Sequence, residues 1–345
     1  MSDPISEYRE LENRVLTAIA GNLDDAAFGA LALEVDAFQR RWNAPYRAFC
    51  AQRPTPKTWR KIAPVPQSIF KRYTLSVAPD SVTKIFRTSG TTGETRGEHH
   101  FVDACLYQAA ILRGWDLLVR REAGAAILLA PRDVDSPHSS LAHMLGVLAR
   151  ERIRGPVTPI ISSSGALDLE RFHAALKGSK PIALLGTALA FLHLFERLGE
   201  QSVVLPPGSF AMETGGYKGS GREIPKAELY AKFRTHLGLA PGDIFNEYGM
   251  TELSSQCYAR GLGTAHAAPP WMRALVISPE TGAEVADGEM GILRLFDLAN
   301  LGSVLCIETQ DLAIRREDGF ELLGRDPAAL PRGCSRMADE TMRRQ

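Results

Sequence analysis

The strongest chemical signal in the sequence is a loop of glycines and hydroxyl residues that follows a β-patterned stretch beginning at Ile85. Its residues are Thr88, Ser89, Gly90, Thr91, Thr92 and Gly93. Glycines let backbone N–H groups converge on an anion, and the hydroxyls and the nearby Arg96 add hydrogen-bond donors. The pattern predicts a phosphate-binding loop, although it lacks the spacing of the Gly-x4-Gly-Lys-Ser/Thr motif. The alternative is a polar surface turn.

A second segment joins an amide, an aromatic ring, a glycine, a hydroxyl and two carboxylates after another apolar run. Its residues are Asn246, Glu247, Tyr248, Gly249, Thr251 and Glu252. A purine can stack on Tyr248, the Thr251 hydroxyl can donate to a phosphate, and Glu252 offers the oxygen ligands that Mg²⁺ prefers. The alternative for this segment is a helix start that Thr251 caps.

Two further groups of residues carry weaker signals. A glycine-dense turn with Gly215, Gly216 and Tyr217 suits the close approach of a flat ligand edge, but a glycine pair alone is weak evidence. The adjacent pair His99-His100 offers metal-ligating nitrogens in a spacing that is not usual for zinc sites.

Hydrophobic periodicity indicates the elements that must position these motifs. Apolar residues spaced three and four apart predict helices over the first fifty residues. From Val82 to about Phe245, short apolar runs alternate with amphipathic stretches, which is typical of an α/β sheet covered by helices. After Trp271, β-rich stretches alternate with turn signals. We expect a core over residues 1–270, a small β subdomain over 271–326, and a short tail over 327–345.

Composition and charge exclude several classes of protein. The chain has 345 residues, of which 45% are hydrophobic and 23% charged, as in ordinary globular proteins. Forty basic residues balance forty acidic ones, so no basic surface for nucleic acid or for an acidic membrane is predicted. No signal-peptide pattern and no apolar run of about 18 residues is present, so we expect a cytoplasmic protein without membrane insertion.

The five cysteines are odd in number and widely spaced, which argues against a disulfide framework. Cys50, Cys105, Cys257 and Cys306 are interpreted as small buried hydrophobic residues. Cys334 differs because it lies in a polar stretch close to the carboxyl end.

The motifs, in this order and followed by Thr309-Gln310-Asp311 and Leu323-Gly324-Arg325-Asp326, resemble those of the adenylate-forming superfamily of acyl- and aryl-activating enzymes. The resemblance spans residues 85–326 and implies the helix-covered sheets of that superfamily's amino-terminal domain, with ATP and Mg²⁺ as cofactors. It implies that the loop 88–93 and Arg96 close on the phosphates, and that the Gly215-Gly216-Tyr217 turn lines adenine.

The second segment, 246–252, has its own implied roles in this resemblance. Tyr248 stacks on the base, within a stretch where Asn246, Glu247 and Gly249 border the nucleotide. Thr251 touches the α-phosphate, Glu252 binds Mg²⁺, and the downstream pair Asp311 and Arg325 holds the ribose.

Two departures from the superfamily pattern concern the leaving phosphates. Thr95-Arg96 replaces the usual Pro-Lys, which keeps the charge but changes its geometry. Superfamily members usually continue into a mobile lid domain that carries a lysine, whereas 19 residues follow Asp326 here. Because a domain usually needs more than about 40 residues, we expect the carboxyl-terminal lid domain to be absent.

The closest resemblance is to a branch without that lid, the acyl-protein synthetases of the bacterial luciferase operon type. The Glu213–Gly219 turn, the Ser139-Ser140-Leu141 segment and the Arg332–Ser335 stretch carry it. In that branch a cysteine near the carboxyl end accepts the acyl group as a thioester, and Cys334 occupies the matching place. The resemblance further implies that His138 and Ser140 border the pocket for a small-molecule carboxylic acid. The implied partner is an acyl-accepting protein, either a reductase or a carrier protein.

Two alternatives to this function stay open at the level of sequence. One is a ligase that transfers the acyl group to coenzyme A or to a carrier protein, with Cys334 as a bystander. The other is a catalytically inactive nucleotide-binding subunit of a biosynthetic complex, which the altered Thr95-Arg96 pair and the expected lack of a lid would favour.

Overall fold

The computed structural model describes residues 3–88, 95–215 and 224–325. Its helices are α1 (Pro4–Ala20), α2 (Asp25–Trp42), α3 (Ala44–Cys50), α4 (Cys105–Gly114), α5 (Ser140–Arg152), α6 (Leu169–Ala175), α7 (Ala188–Leu198) and α8 (Lys226–Leu237). Its strands are β1 (Val65–Pro66), β2 (Lys84–Arg87), β3 (Glu98–Phe101), β4 (Ala125–Leu129), β5 (Val157–Pro159), β6 (Ile182–Thr187), β7 (Phe210–Thr214), β8 (Ile244–Tyr248), β9 (Cys257–Arg260), β10 (Met272–Ile277), β11 (Met290–Asp297), β12 (Cys306–Arg316) and β13 (Gly319–Arg325).

The chain folds as two compact units that interleave along the sequence. The first unit consists of the residues up to Arg113, the short segment Met250–Ser255, and the residues from Ala268 onward. The second unit takes Gly114–Gly249 and Gln256–Ala267. Whether the predicted boundaries after residues 270 and 326 delimit independently folding domains stays a prediction.

The second unit is a sheet with strand order β5-β4-β6-β7-β8-β9. The strands from β5 to β8 are parallel, and β9 pairs with β8 in the antiparallel direction. Its inner strands are buried on both faces, because helices cover the sheet. Phe191 and Phe195 of α7 and Phe233 of α8 pack on Leu184 and Ile244 of the strands. This alternation of strand and helix confirms the predicted α/β class.

The first unit contains a mostly antiparallel sheet with strand order β1-β12-β11-β10, in which β13 also pairs with β12. The turns of this sheet contain Gly282, Gly288 and Gly319, each with a positive φ that favours glycine. The prediction of a β-rich segment after Trp271 is therefore confirmed. The strand pair β2 and β3 belongs to the same unit.

Six of the described helices begin after a residue whose side chain accepts a hydrogen bond from a free backbone N–H of the first turn. The residues that do so are Asp3, Asp24, Asn43, Ser139, Asp168 and Thr187. The helices predicted over the first fifty residues are confirmed as α1, α2 and α3. Helix α4 passes into a π-helical turn at Trp115–Val119, which ends at Arg120 in a left-handed conformation.

A fully buried glutamine ties α2 to the chain between β11 and β12. The Gln39 amide donates to the carbonyl oxygens of Asn300 and Leu301 at 2.9 and 3.1 Å, and its oxygen accepts the Leu305 N–H at 2.8 Å. These three backbone groups lie between two strands, so the sheet ladder does not satisfy them. The Gln39 side chain forms hydrogen bonds with these groups that a neighbouring strand would form within a sheet.

We therefore expect Gln39→Leu to destabilise the first unit. The substitution leaves the Leu301 carbonyl and the Leu305 N–H buried without this partner, whereas the Asn300 carbonyl still accepts from the Ser303 N–H at 3.0 Å. Each lost partner is worth about 1–3 kcal/mol, so the free energy of unfolding should fall by about 2 kcal/mol or more. Urea unfolding measures this. Gln201→Leu, at an exposed position, is the control and should change the free energy by less than about 0.5 kcal/mol. An equally small effect at Gln39 would contradict the expectation.

Candidate functional site

The neck of the predicted phosphate loop is closed by a reciprocal pair of hydrogen bonds. The Thr88 N–H donates to the Gly97 carbonyl at 2.9 Å, and the Gly97 N–H donates to the Thr88 hydroxyl oxygen at 2.8 Å. The adjoining strands β2 and β3 pair in register, with an ion pair of 2.9 Å between Arg87 and Glu98. Both ends of the loop are thus fixed. The predicted site residues that lie outside the described residues are Ser89, Gly90, Thr91, Thr92, Gly93, Gly216, Tyr217 and Cys334.

Arg96 lies at the carboxyl side of this loop and is exposed. Within the ranges that the structure describes, no carboxylate forms an ion pair with its guanidinium. An exposed guanidinium without such an ion pair is available to an anionic ligand. The predicted phosphate loop requires a group of this kind.

The segment Met250–Ser255 forms a turn after β8 rather than the start of a helix. The alternative in which Thr251 caps a helix is therefore wrong. The buried carboxylate of Asp297, at the end of β11, explains why the chain turns here. Asp297 accepts the Ser254 N–H at 3.0 Å and the Ser255 hydroxyl at 2.7 Å, and the Trp271 indole donates to that hydroxyl oxygen at 2.9 Å.

Thr251 and Glu252 are held from three further directions within the first unit. The Thr251 carbonyl accepts from Nδ1 of His99 at 2.8 Å, and the Glu252 carbonyl accepts from the Asn300 amide at 2.9 Å. The Gln67 amide donates to Oε1 of Glu252 at 3.1 Å. The backbone and the carboxylate of this short segment are both fixed in place.

Glu252 fits the role of a magnesium ligand. Its side chain is buried, with 4% of the residue exposed, and it offers carboxylate oxygens on a positioned backbone. Mg²⁺ in nucleotide sites typically takes one or two protein carboxylates and receives its other ligands from phosphates and water. The donor set at Glu252 agrees with that chemistry.

Burial shifts the pKa of two groups that hold this segment. Desolvation raises the pKa of the Asp297 carboxyl to about 6, although three N–H groups and a hydroxyl that donate to it lower the pKa in part. Desolvation also lowers the pKa of His99 to about 3, so its ring is neutral at physiological pH. The surroundings of Thr251 therefore contain a neutral imidazole.

Asp311 and Arg325 lie directly opposite each other on β12 and β13. Nε of Arg325 is 3.8 Å from Oδ1 of Asp311. The resemblance implies that these two side chains, 14 positions apart in sequence, hold one ribose, and the antiparallel pairing brings them together.

In the second unit, the predicted nucleotide segments end two neighbouring parallel strands. Gly215 follows β7 with a φ of 68°, and Tyr248 is the last residue of β8. The pairing aligns Glu213 with Asn246 and Thr214 with Glu247. Because the carboxyl ends of parallel strands meet at one edge of a sheet, Gly215 and Tyr248 share that edge, where α/β proteins commonly bind ligands.

A polar network that the sequence analysis missed surrounds Asn246 at this edge. Its amide oxygen accepts from Nζ of Lys226 and from Nε2 of His266, both at 2.6 Å. Lys226 also lies 3.7 Å from the Glu213 carboxylate, which accepts from the Tyr230 hydroxyl at 3.3 Å. Desolvation raises the pKa of Glu213 and lowers that of Lys226. In the sequence, the one indication of this network is that the charged residue Glu213 ends an apolar run.

Glu247 is a buried carboxyl that accepts a hydrogen bond from the neutral Thr214 hydroxyl. Desolvation raises its pKa to about 7. A Cβ at Gly249 would come within 2.4 Å of Oε1 of Glu247, so a larger residue at this position would require the carboxyl group to shift. The Tyr248 ring is 7% exposed and meets the His266 ring edge to face at 6.1 Å. That Tyr248 stacks on a base stays a prediction.

His138 and Ser140, predicted to border the acid pocket, lie at the amino-terminal end of α5. A cavity of about 1100 Å³ in the same unit is lined by residues of β4, α5, β5 and α6 and by the connecting loops, and neither of these two residues is among its lining residues. Their role in binding an acid stays a prediction.

The histidine pair is not arranged as a zinc site. His99 is buried against Phe70 and Phe101, and Nε2 of His100 pairs with Glu98 at 3.1 Å. Among the described residues, one group has geometry for a metal ion, namely Glu12, Asp103 and Cys105. Arg9 already pairs with both carboxylates of that group.

The four cysteines of the described ranges are free thiols. Cys50, Cys257 and Cys306 are buried, as predicted, but Cys105 is exposed at the start of α4, so that part of the prediction is wrong. In the same ranges, no helix combines the length and the hydropathy that a membrane span requires.

No protein-family model matches the sequence, and no curated protein matches it. Several solved structures are similar to this protein in fold. An open conformation of 2-hydroxyisobutyryl-CoA ligase in complex with 2-HIB-AMP and CoA is similar with a TM-score of 0.64 and 16% identity, over 90% of this chain and 71% of that chain. ATP-bound MatB from Rhodopseudomonas palustris and McyG A-PCP complexed with phenylalanyl-adenylate each have a TM-score of 0.51 and 16% identity.

This chain spans about half the length of the MatB and McyG structures, covering 48% of each, while 72% of this chain is matched. These structural neighbours are adenylate-forming enzymes, and the likeness confirms the predicted fold class. At this level of identity the likeness concerns the fold.

The buried Glu247 generates a prediction about stability and pH. The folded protein keeps a proton on this carboxyl up to about pH 7, whereas the unfolded chain loses it near 4.5. The folded state therefore binds more protons between these values. The contribution of Glu247 to the free energy of unfolding is therefore largest below pH 4.5. It decreases by about 1.4 kcal/mol per pH unit as the pH rises towards 7.

Glu247→Gln removes this dependence, so the variant should gain about 3 kcal/mol relative to the wild type between pH 4.5 and 7. Urea unfolding of both proteins at several pH values measures the difference. Glu200→Gln, an exposed position, should shift stability by a constant amount. A constant difference for Glu247→Gln as well would show that the carboxyl titrates normally.

Proposed function

We propose that this protein activates a carboxylic acid with ATP, forming an acyl-adenylate and pyrophosphate. The observation that carries the proposal is the fixed turn at Thr251-Glu252, which places a hydroxyl and a buried carboxylate of the superfamily motif on one rigid segment. The adenylate-forming fold and the Asp311–Arg325 pair support it.

The proposed reaction is an in-line displacement at phosphorus. A carboxylate oxygen of the acid attacks the α-phosphorus of ATP, the bond to the bridging oxygen breaks, and pyrophosphate leaves with the electron pair. The protein contributes mainly by positioning and by stabilising charge, as phosphoryl chemistry requires. Thr88, the loop amides and Arg96 bind the phosphates, the Thr251 hydroxyl donates to the α-phosphate, and Asp311 and Arg325 hold the ribose. Glu252 would hold Mg²⁺, which neutralises phosphate charge when bound.

We further propose that Cys334 accepts the acyl group, as in the acyl-protein synthetases that the sequence resembles. Its thiolate attacks the acyl carbon, AMP leaves, the thiol proton passes to solvent, and a thioester forms. A thioester keeps the acyl group activated for a partner protein, either a reductase or a carrier protein. The matching Arg332–Ser335 stretch supports this step.

A second candidate acceptor is coenzyme A, because the similar 2-hydroxyisobutyryl-CoA ligase holds both an acyl-adenylate and CoA. In that reaction the thiol of CoA takes the place of Cys334 and the first half-reaction is the same. The two candidates therefore separate only at the acceptor step.

Adenylation is tested by exchange of labelled pyrophosphate into ATP against a panel of fatty, aryl and other carboxylic acids. At least one acid should support exchange, and Glu252→Gln should reduce its rate by about 100-fold or more because a phosphate-site charge is lost. Glu280→Gln changes an exposed glutamate and should leave the rate unchanged. No exchange with any acid would rule out the proposed function.

The acceptor is tested by the intact mass of the protein after reaction with ATP and the active acid. We expect the mass to rise by one acyl group in the wild type and in Cys105→Ser, which removes the exposed thiol of the described ranges. Cys334→Ser should lose the adduct and keep the exchange reaction. An adduct that persists in Cys334→Ser, or acyl-CoA formation without any protein adduct, would assign the acceptor differently.

A further inference from the structure

His99 is a buried polar residue with aromatic neighbours on the strand that follows the phosphate loop. It lies on β3 opposite Phe86 of β2, and 2% of it is exposed. Its ring centroid is 4.1 Å from that of Phe101 and 5.6 Å from that of Phe70. A phenylalanine would suit such surroundings at least as well, because burying an imidazole costs desolvation free energy.

The polar atoms of His99 explain why an imidazole is present. Nδ1 lies 2.8 Å from the Thr251 carbonyl oxygen, a residue 152 positions away in sequence. A carbonyl only accepts, so Nδ1 carries the proton and donates. Burial keeps the ring uncharged, which leaves Nδ1–H as a neutral donor with one defined tautomer.

This hydrogen bond acts on the peptide plane that joins Thr251 to Glu252. The Asn300 amide fixes the next carbonyl along the chain, that of Glu252, at 2.9 Å. Two consecutive carbonyls held by two buried donors leave the segment little freedom to rotate about its backbone dihedrals. The directions of the Thr251 hydroxyl and of the Glu252 carboxylate follow from that backbone.

We propose that His99 is a positioning residue for adenylation, which holds the Thr251 carbonyl and thereby keeps the Thr251 hydroxyl and the Glu252 carboxylate in one arrangement before ligands bind. The inference rests on the proposed function. Groups that orient a metal-binding or catalytic side chain from behind typically change activity or affinity by 10- to 100-fold when removed. The competing explanation is that His99 only fills space in the aromatic cluster.

Two substitutions separate the donor of His99 from its ring. His99→Asn places an amide N–H close to the position of Nδ1 and removes the ring, whereas His99→Phe keeps the ring and removes the donor. A positioning role predicts that His99→Phe lowers the kcat of pyrophosphate exchange by about 10- to 100-fold and raises the Mg²⁺ concentration for half-maximal rate. His99→Asn should stay within about threefold of the wild type, although it melts at a lower temperature. The reverse ranking would assign His99 to packing.

A measurement on the ligand-free protein tests the same inference without activity. Amide hydrogen exchange of residues 250–255 should become at least about tenfold faster in His99→Phe and remain near the wild-type rate in His99→Asn. His100→Phe, on the neighbouring position of β3, is the matched control and should leave this segment protected. Unchanged protection in His99→Phe would overturn the inference.

The two proposals fail in different ways. If the wild type supports no exchange with any acid, the proposed function fails, yet hydrogen exchange still reports whether His99 holds the segment. If adenylation occurs and His99→Phe retains full kcat and the normal Mg²⁺ dependence, only the role of His99 fails. His99→Met, an unbranched apolar side chain without a donor, repeats the test if His99→Phe does not fold.

Discussion

The site in the first unit depends on one buried carboxylate, that of Asp297. It accepts hydrogen bonds from the Ser254 N–H, the Ser255 hydroxyl and the Ala299 N–H, and so holds the turn after β8 beside the end of β11. A buried carboxylate without a cation is held at an energetic cost, which appears as a pKa raised to about 6. This group therefore stabilises the fold less as the pH rises from 3.8 to about 6.

Around this carboxylate, the first unit uses buried amides and an imidazole where an apolar core would be more stable. Gln39, Gln67, Asn300 and His99 each bond to groups more than forty positions away in sequence. Apolar side chains of similar size would fill the same space, but they would not specify one backbone conformation for the chain segments that they contact. Gln39 is bonded through both its amide nitrogen and its amide oxygen, so it specifies one arrangement of the segments that it joins. The segments that these side chains hold are irregular, namely the turn 250–255 and the connection between β11 and β12.

Much of the fold could be predicted from the sequence, because apolar runs of strand and helix period are local. The pair Asp311 and Arg325 was implied by the family resemblance, and the pairing of β12 with β13 brings the two residues together. The positions of Thr251 and Glu252 were predicted, but the turn that holds them was not, since Thr251 is also a good residue to cap a helix. Its conformation is decided by Asp297 and His99, which lie on other strands. Lys226 and His266 were missed for the same reason, because their common partner Asn246 is 20 positions from each.

The zero net charge of the chain constrains how it could bind an anionic ligand. Without a basic surface, attraction must come from a few local groups and from the removal of local negative charge. In the first unit Arg96 is exposed without an ion pair to the described residues, and the imidazole at Thr251 is neutral. In the second unit the two carboxyls at the edge of β7 and β8, Glu213 and Glu247, have raised pKa values. A carboxyl whose pKa is about 7 is largely protonated below neutral pH, so Glu247 carries less charge than an exposed glutamate and repels an anion less. Desolvation of these two carboxyls thus lowers the negative charge at the edge of β7 and β8 without any change in composition.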